Sequence, residues 1–161
     1  MAESQPREEP ERNDLQPDSA ESHPEPADSA SVPMSVEERL IEVAYGAAQM
    51  AYAPYSGLKV GAAVQTAEGD IHTGCNVENA SYGLTVCAER NAVARMVEAG
   101  GRLIRRVAVV TDKMGAVAPC GACLQVIAEF GGADTEVVII DETGTAVAVP
   151  ISTLLPKQFR L

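Results

Sequence analysis

A chain of 161 residues, 46% of them hydrophobic, is long enough for one domain with its own core. Its formal net charge of −11 argues against a broad nucleic-acid surface, which needs clustered Lys and Arg, and no apolar run reaches the ~18 residues of a membrane span. The polar N-terminus lacks the apolar stretch of a secretory signal, so the expectation is a soluble cytoplasmic protein with neither membrane nor nucleic-acid partners.

Residues 1–33 carry nine Asp or Glu against two Arg, and their only large aliphatics are Met1, Leu15 and Val32. Such a segment buries too little apolar surface to offset its chain entropy. It is expected to be a disordered acidic tail ahead of a domain over 34–161. Ser35 and Glu38 have the spacing of a capping box. Leu40, Ile41, Ala44, Ala47, Ala48 and Ala51 then recur at helical spacing until Ala53-Pro54 breaks the pattern. Leu58–Thr66 and Asp70–Gly74 predict the two strands of a hairpin, joined by Ala67-Glu68-Gly69. Residues 87–99 predict a helix ending at Gly100-Gly101. Val107–Thr111 is a short apolar run without alternation, as in a strand covered on both faces. Cys120–Phe130 predicts a helix stopped by Gly131-Gly132. Val137–Asp141 and Ala146–Val149 predict two strands split by Thr143-Gly144, and Ser152–Leu155 one last helical turn. The order αββαβαββ implies a mixed sheet with helices packed on it, and the predicted architecture is a three-layer α/β/α sandwich around five strands.

Four cysteines are present: Cys75, Cys87, Cys120 and Cys123. A disulfide framework does not suit a chain without an export signal. Pro119-Cys-Gly-Ala-Cys123 alone is compatible with a zinc half-site or with a redox pair on a strand-to-helix turn. The balance shifts to zinc because Cys87-Ala88-Glu89 lies 33 residues upstream of Cys120, each half at a predicted helix start. A Cys or His, a Glu two residues on and a later Pro-Cys-x-x-Cys form the zinc deaminase signature. Three protein ligands, Cys87, Cys120 and Cys123, leave the fourth tetrahedral position open, the catalytic rather than the structural pattern. First-turn thiols are also favoured as thiolates by free N–H groups. Cys75 matches no ligand position and reads as a buried thiol. Glu89 reads either as a first-turn acid or as the proton carrier; beside a zinc thiolate the second reading gains. Direct ligation by Glu89 would close the site. Three thiolates exceed the charge of one divalent ion, and Arg90 is the adjacent cation that can offset the excess.

The chain resembles the small homotetrameric cytidine deaminases. The resemblance rests on Ala53-Pro-Tyr-Ser56, Val60-Gly-Ala-Ala63, Gly74-Cys-Asn-Val-Glu-Asn-Ala-Ser-Tyr82, Cys87-Ala-Glu-Arg90, Pro119-Cys-Gly-Ala-Cys123 and Leu154-Leu-Pro156 with Phe159. It implies one zinc per chain, Glu89 and Arg90 as the catalytic pair, and hydrolysis of cytidine and deoxycytidine to uridine and deoxyuridine with release of ammonia, in pyrimidine salvage. It implies that Asn76 and Glu78 bind the ribose 3′-hydroxyl. Val77, Asn79, Ala80, Ser81 and Tyr82 would line this or a neighbouring subunit's site, with Ala88 also against the substrate. Phe159 would reach the base across a homotetramer interface, the alternative being a plain core anchor. Two positions depart from the family pattern. Leu58 stands where Phe is usual, so its packing on the base should be weaker. Leu124 stands where Arg often follows the last Cys, which would leave more of the charge offset to Arg90. A deaminase of a cytosine-containing antibiotic and a non-catalytic zinc-stabilised module are the competing readings; the Asn76–Glu78 pair favours nucleosides over the first.

Overall fold

The computed structural model describes residues 33–113 and 117–161. The expected tail, Pro33 apart, lies outside the described residues. Helix α1 spans Val36–Gln49 and opens with the predicted capping box: Ser35 Oγ accepts from the Glu38 N–H at 3.1 Å, and Glu38 Oε2 accepts from the Ser35 N–H at 2.7 Å. Strands β1 (Val60–Thr66) and β2 (Ile71–Cys75) form the hairpin. A single 3-10 turn, Tyr82–Leu84, leads to α2 (Ala88–Glu98). Strand β3 (Ile104–Thr111), α3 (Gly121–Phe130), β4 (Gly131–Ile140), β5 (Ala146–Pro150) and α4 (Ile151–Leu154) follow.

The five strands lie in the order β2-β1-β3-β4-β5, with β3 and β4 parallel and the other neighbours antiparallel. Alternating side chains divide the core into two layers. Ala63, Ala108, Val110 and Val138 face α1 with Leu40 and Ala44. Ala62, Val64, Val107, Val109 and Val137 face α2 and α3 with Ala92, Met96 and Ile127. The result is the three-layer sandwich expected from the sequence. Each Val, Leu or Ile buried this fully contributes roughly 1.5–3 kcal/mol.

This topology also positions the site. Both β2 and β3 run antiparallel to β1, so their C-terminal ends lie at the same edge of the sheet. The helices that follow them, α2 and α3, pack on the same face and start at that edge. Segments 33 residues apart therefore present their first turns side by side.

Two strand glycines permit this packing. A Cβ on Gly61 would lie 1.9 Å from the Ala44 carbonyl oxygen in α1. A Cβ on Gly74 would lie 2.4 Å from the Ala92 nitrogen and 2.5 Å from the Ala88 carbonyl oxygen in α2. Those atoms are helix backbone and cannot rotate away. Gly74→Ala should therefore cost about 1–3 kcal/mol by overpacking and push out the helix that carries Glu89. Urea unfolding measures the first effect; unchanged stability and activity would show that α2 moves freely on β2.

The hydrogen bonds Thr66 N–H to Asp70 carbonyl (2.9 Å) and Asn76 N–H to Val60 carbonyl (3.1 Å) turn the even-numbered residues of β2 toward β1. The carbonyls of Thr73 and Cys75 point the other way, and α2 side chains take them: Arg95 Nη1 donates to Thr73 at 3.3 Å and Asn91 Nδ2 to Cys75 at 2.8 Å.

Several boundaries differ from expectation. Strand β1 starts at Val60 because the N–H groups of Leu58 and Lys59 donate to side chains, Ser56 Oγ and Asp112 Oδ1, each at 3.0 Å. Strand β4 starts at Gly131, not Val137. Its Gly-Gly-Ala-Asp start has little strand propensity and is held instead by Thr135, whose Oγ1 donates to the Ile104 carbonyl and accepts from the Gly132 N–H, both at 3.0 Å. Cys75 is half-buried rather than buried. Leu124 is 6% exposed and sits in the core cluster with Ile127 and Val137. It is a packing residue.

Candidate metal centre and active site

Cys87 caps α2, Cys120 caps α3, and Cys123 lies in the first turn of α3 with no exposed surface. The Cys87 sulfur makes no cap bond to its own helix. All three Sγ atoms lie within 4.8 Å of one another. A tetrahedral zinc with Zn–S bonds near 2.3 Å needs sulfurs about 3.8 Å apart, so the spacing fits. The electrostatics point the same way. The Cys123 backbone N–H, aided by that of Ala122, holds the Cys120 thiol below its ordinary pKa. Burial pushes Cys87 up, partly offset by its hydrogen bond with Cys123 and by the Arg90 charge. Burial, then the Glu89 carboxylate, pushes Cys123 up much further. Three thiolates this close need a cation to coexist, and three soft sulfur donors suit zinc.

Glu89 occupies the first turn of α2 and is 4% exposed. Its charge is felt by all three thiols. Arg90 donates from Nη2 to the Thr85 carbonyl at 2.7 Å, and its Nε is buried without a protein partner among the described residues. The structure thus gathers the predicted ligands, the predicted acid and the predicted cation at two adjoining helix N-termini.

A surface pocket is lined by Tyr55, Ser56, Glu78, Tyr82 and Thr85, the last two residues short of Cys87. Glu78 is fixed there. Its carboxylate accepts from the Ser56 hydroxyl, from the Tyr55 N–H at 2.9 Å and from the Ser56 N–H at 3.2 Å. The hydroxyl first, then these amides, hold its pKa below the ordinary carboxylate value. Asn76 is 8% exposed and binds this chain's own backbone: Oδ1 accepts from the Val60 N–H at 2.8 Å, and Nδ2 donates to the Leu58 carbonyl at 2.9 Å. Val77 bridges to Tyr52 and Val86. Asn79 Oδ1 accepts from the Ser81 N–H at 2.8 Å, shaping the turn through Ala80. Tyr82 is 76% exposed and meets the Tyr55 ring edge-on at 6.0 Å. Ala88 has no exposed surface in the single chain, backbone included. Leu58 is half-buried beside the Asn76 amide. Phe159 stands 68% exposed, which does not suit a core anchor. Tyr55, Ser56 and Thr85 line the pocket and carry no role in the sequence reading. Tyr55 and Ser56 lie in a quoted motif and could have been found there; Thr85 lies in none.

A family model described as the cytidine and deoxycytidylate deaminase zinc-binding region matches residues 34–140. The chain is 45% identical over 122 residues to a cytidine deaminase of Halalkalibacterium halodurans, covering 76% of this chain and 92% of that protein. It is 43% identical over 122 residues to a cytidine deaminase of Sporosarcina psychrophila, covering 76% and 90%. The crystal structure of a cytidine deaminase from Burkholderia pseudomallei superposes with a TM-score of 0.72 at 47% identity, covering 78% of this chain and all of that one.

Proposed function

This chain belongs to the cytidine deaminase family, and from that premise we propose that it hydrolyses free cytidine and deoxycytidine to uridine and deoxyuridine with release of ammonia, as a cytoplasmic enzyme of pyrimidine salvage. The observation that carries this reading is the convergence of Cys87, Cys120 and Cys123 at two helix starts, with Glu89 buried in the first turn of one of them. Cys87, Cys120 and Cys123 would hold one zinc. When bound, zinc supplies Lewis-acid activation of water near neutral pH. Glu89 takes a proton from the attacking water and passes it to the ring nitrogen, then takes the remaining proton from the hydroxyl formed at C4 and delivers it to the amino group, which leaves as ammonia as the C4 carbonyl forms. Its burial beside the cluster keeps bulk water from competing for those protons. Arg90 offsets part of the thiolate charge, as its effect on Cys87 indicates.

Glu78 and Asn76 are the proposed ribose contacts, with Val77, Asn79, Ala80, Ser81, Tyr82, Ala88 and Leu58 around the nucleoside. Residues 34–161 are taken as the catalytic domain, and the acidic charge favours free nucleosides over nucleic acid. No helix among the described residues is long and apolar enough to cross a membrane. Tyr52, Tyr82, Leu84 and Phe159 are each more than half exposed, the apolar surface that partner copies of a homotetramer would cover. Sedimentation equilibrium should give four chains per particle; a monomeric mass for the active enzyme excludes that assembly. Purified, zinc-loaded protein should convert cytidine to uridine with stoichiometric ammonia, and absence of turnover overturns the proposed reaction.

The Glu78 clamp makes a further test. Its folded pKa is depressed, so the ionised carboxylate persists above that value and is lost only as pH falls through it. Ser56→Ala removes the largest cause. The acid rise in the KM for cytidine should then begin at higher pH than in the wild type. An unmoved profile means that Glu78 ionisation does not govern nucleoside binding.

A further inference from the structure

The Phe159 ring is exposed, yet its backbone is gripped at both polar atoms by one side chain. The Gln125 amide donates from Nε2 to the Phe159 carbonyl at 2.9 Å and accepts at Oε1 from the Phe159 N–H at 3.2 Å. One planar amide that takes both groups of one residue fixes its orientation, much as a neighbouring strand would. Gln125 lies on α3, two residues beyond Cys123. Just past Phe159, Arg160 Nη2 donates to the Gly131 carbonyl at 3.0 Å, where α3 ends. The C-terminal segment is thereby tied at two points to the helix that carries two of the sulfurs. A tether whose only task was stability would be expected to accompany a buried ring; here the ring is held outward.

We propose that Gln125 is a positioning residue, fixing the outward orientation of the Phe159 ring for its contact with the base across the subunit interface, and through it the affinity for the nucleoside base. This rests on the reading of Phe159 as a base contact. The chemistry is specific to the amide. A carboxylate accepts from the Phe159 N–H but sets a charge against its carbonyl, and leucine offers neither bond.

The experiment measures KM and kcat for cytidine in the wild type, Gln125→Leu, Gln125→Glu, Phe159→Ala and the Gln125→Leu/Phe159→Ala double variant, with zinc content and melting temperature for each. Gln125→Leu is expected to raise KM about tenfold with kcat nearly unchanged, as loss of two hydrogen bonds implies, and Gln125→Glu should fall between it and the wild type. Amide hydrogen exchange at Phe159 should quicken in Gln125→Leu. In the Phe159→Ala background the Gln125 change should add less than about twofold, since its effect runs through the ring. If Gln125→Leu loses zinc or melts early, Gln125→Glu carries the same comparison. Multiplicative effects in the double variant, or an unchanged KM in Gln125→Leu while Phe159→Ala is impaired, overturn the positioning role and leave the base contact standing. An unchanged KM in Phe159→Ala overturns the base contact, and the positioning role with it.

Discussion

The Glu89→Gln protein should fold, retain zinc and lose nearly all turnover. The two side chains are close to isosteric, so the 4%-exposed position in the first turn of α2 can be refilled without a cavity. What disappears is a group able to take and give protons. One such transfer is worth roughly 10²–10⁴-fold, and Glu89 is asked to serve more than one. Metal retention should not suffer. The Glu89 charge pushes all three thiols toward their protonated forms, so its removal makes them easier to ionise. A fall in kcat of that size at unchanged zinc content and melting temperature is the expected result. Near-wild-type turnover in the zinc-replete variant would mean that another group moves the protons.

The metal assignment makes the second large prediction. Cys120→Ala should lose most of its zinc and essentially all activity, whereas Cys75→Ala should keep about one zinc per chain. The pair is informative because the sulfurs sit so differently. Cys120 is exposed at the cap of α3, so its removal leaves the core untouched. Any large loss therefore reads on the metal rather than on packing. Cys75 is half-buried at the end of β2 and is absent from the sulfur cluster. Equal zinc contents in the two variants would remove the ligand set on which the proposed chemistry depends.

Much of this was readable before any coordinates, for identifiable reasons. The capping box at Ser35 and Glu38, the apolar spacing after it and the glycine stop after α2 are local signals, and local signals survive in sequence. The two cysteine motifs were legible because each sits where a helix begins, and helix starts are read from short patterns. What escaped depends on contacts distant in sequence. The first residues of β4 owe their strand state to the Thr135 hydroxyl reaching Ile104. That Leu124 also fills the core depends on strands on both sides of it in sequence. Asn76 was read for its chemistry toward a ligand, yet its amide also ties together the segment ahead of β1. The grip of Gln125 on Phe159 spans 34 residues and leaves no periodic trace.

The side chains of Asn91 and Arg95 on the outward carbonyls of β2 bear on how these molecules can meet. An uncovered outer strand is a template on which another chain can add its own, the first step toward fibrils. At β2 two of the three outward acceptors, the carbonyls of Thr73 and Cys75, are already engaged. The opposite boundary of the sheet, β5, is five residues long and ends at Pro150, which has no N–H to offer an incoming ladder. Neither boundary invites extension, so copies of this chain are steered to associate through side-chain surfaces, where shape can limit how many join, rather than through backbone pairing, which has no natural end.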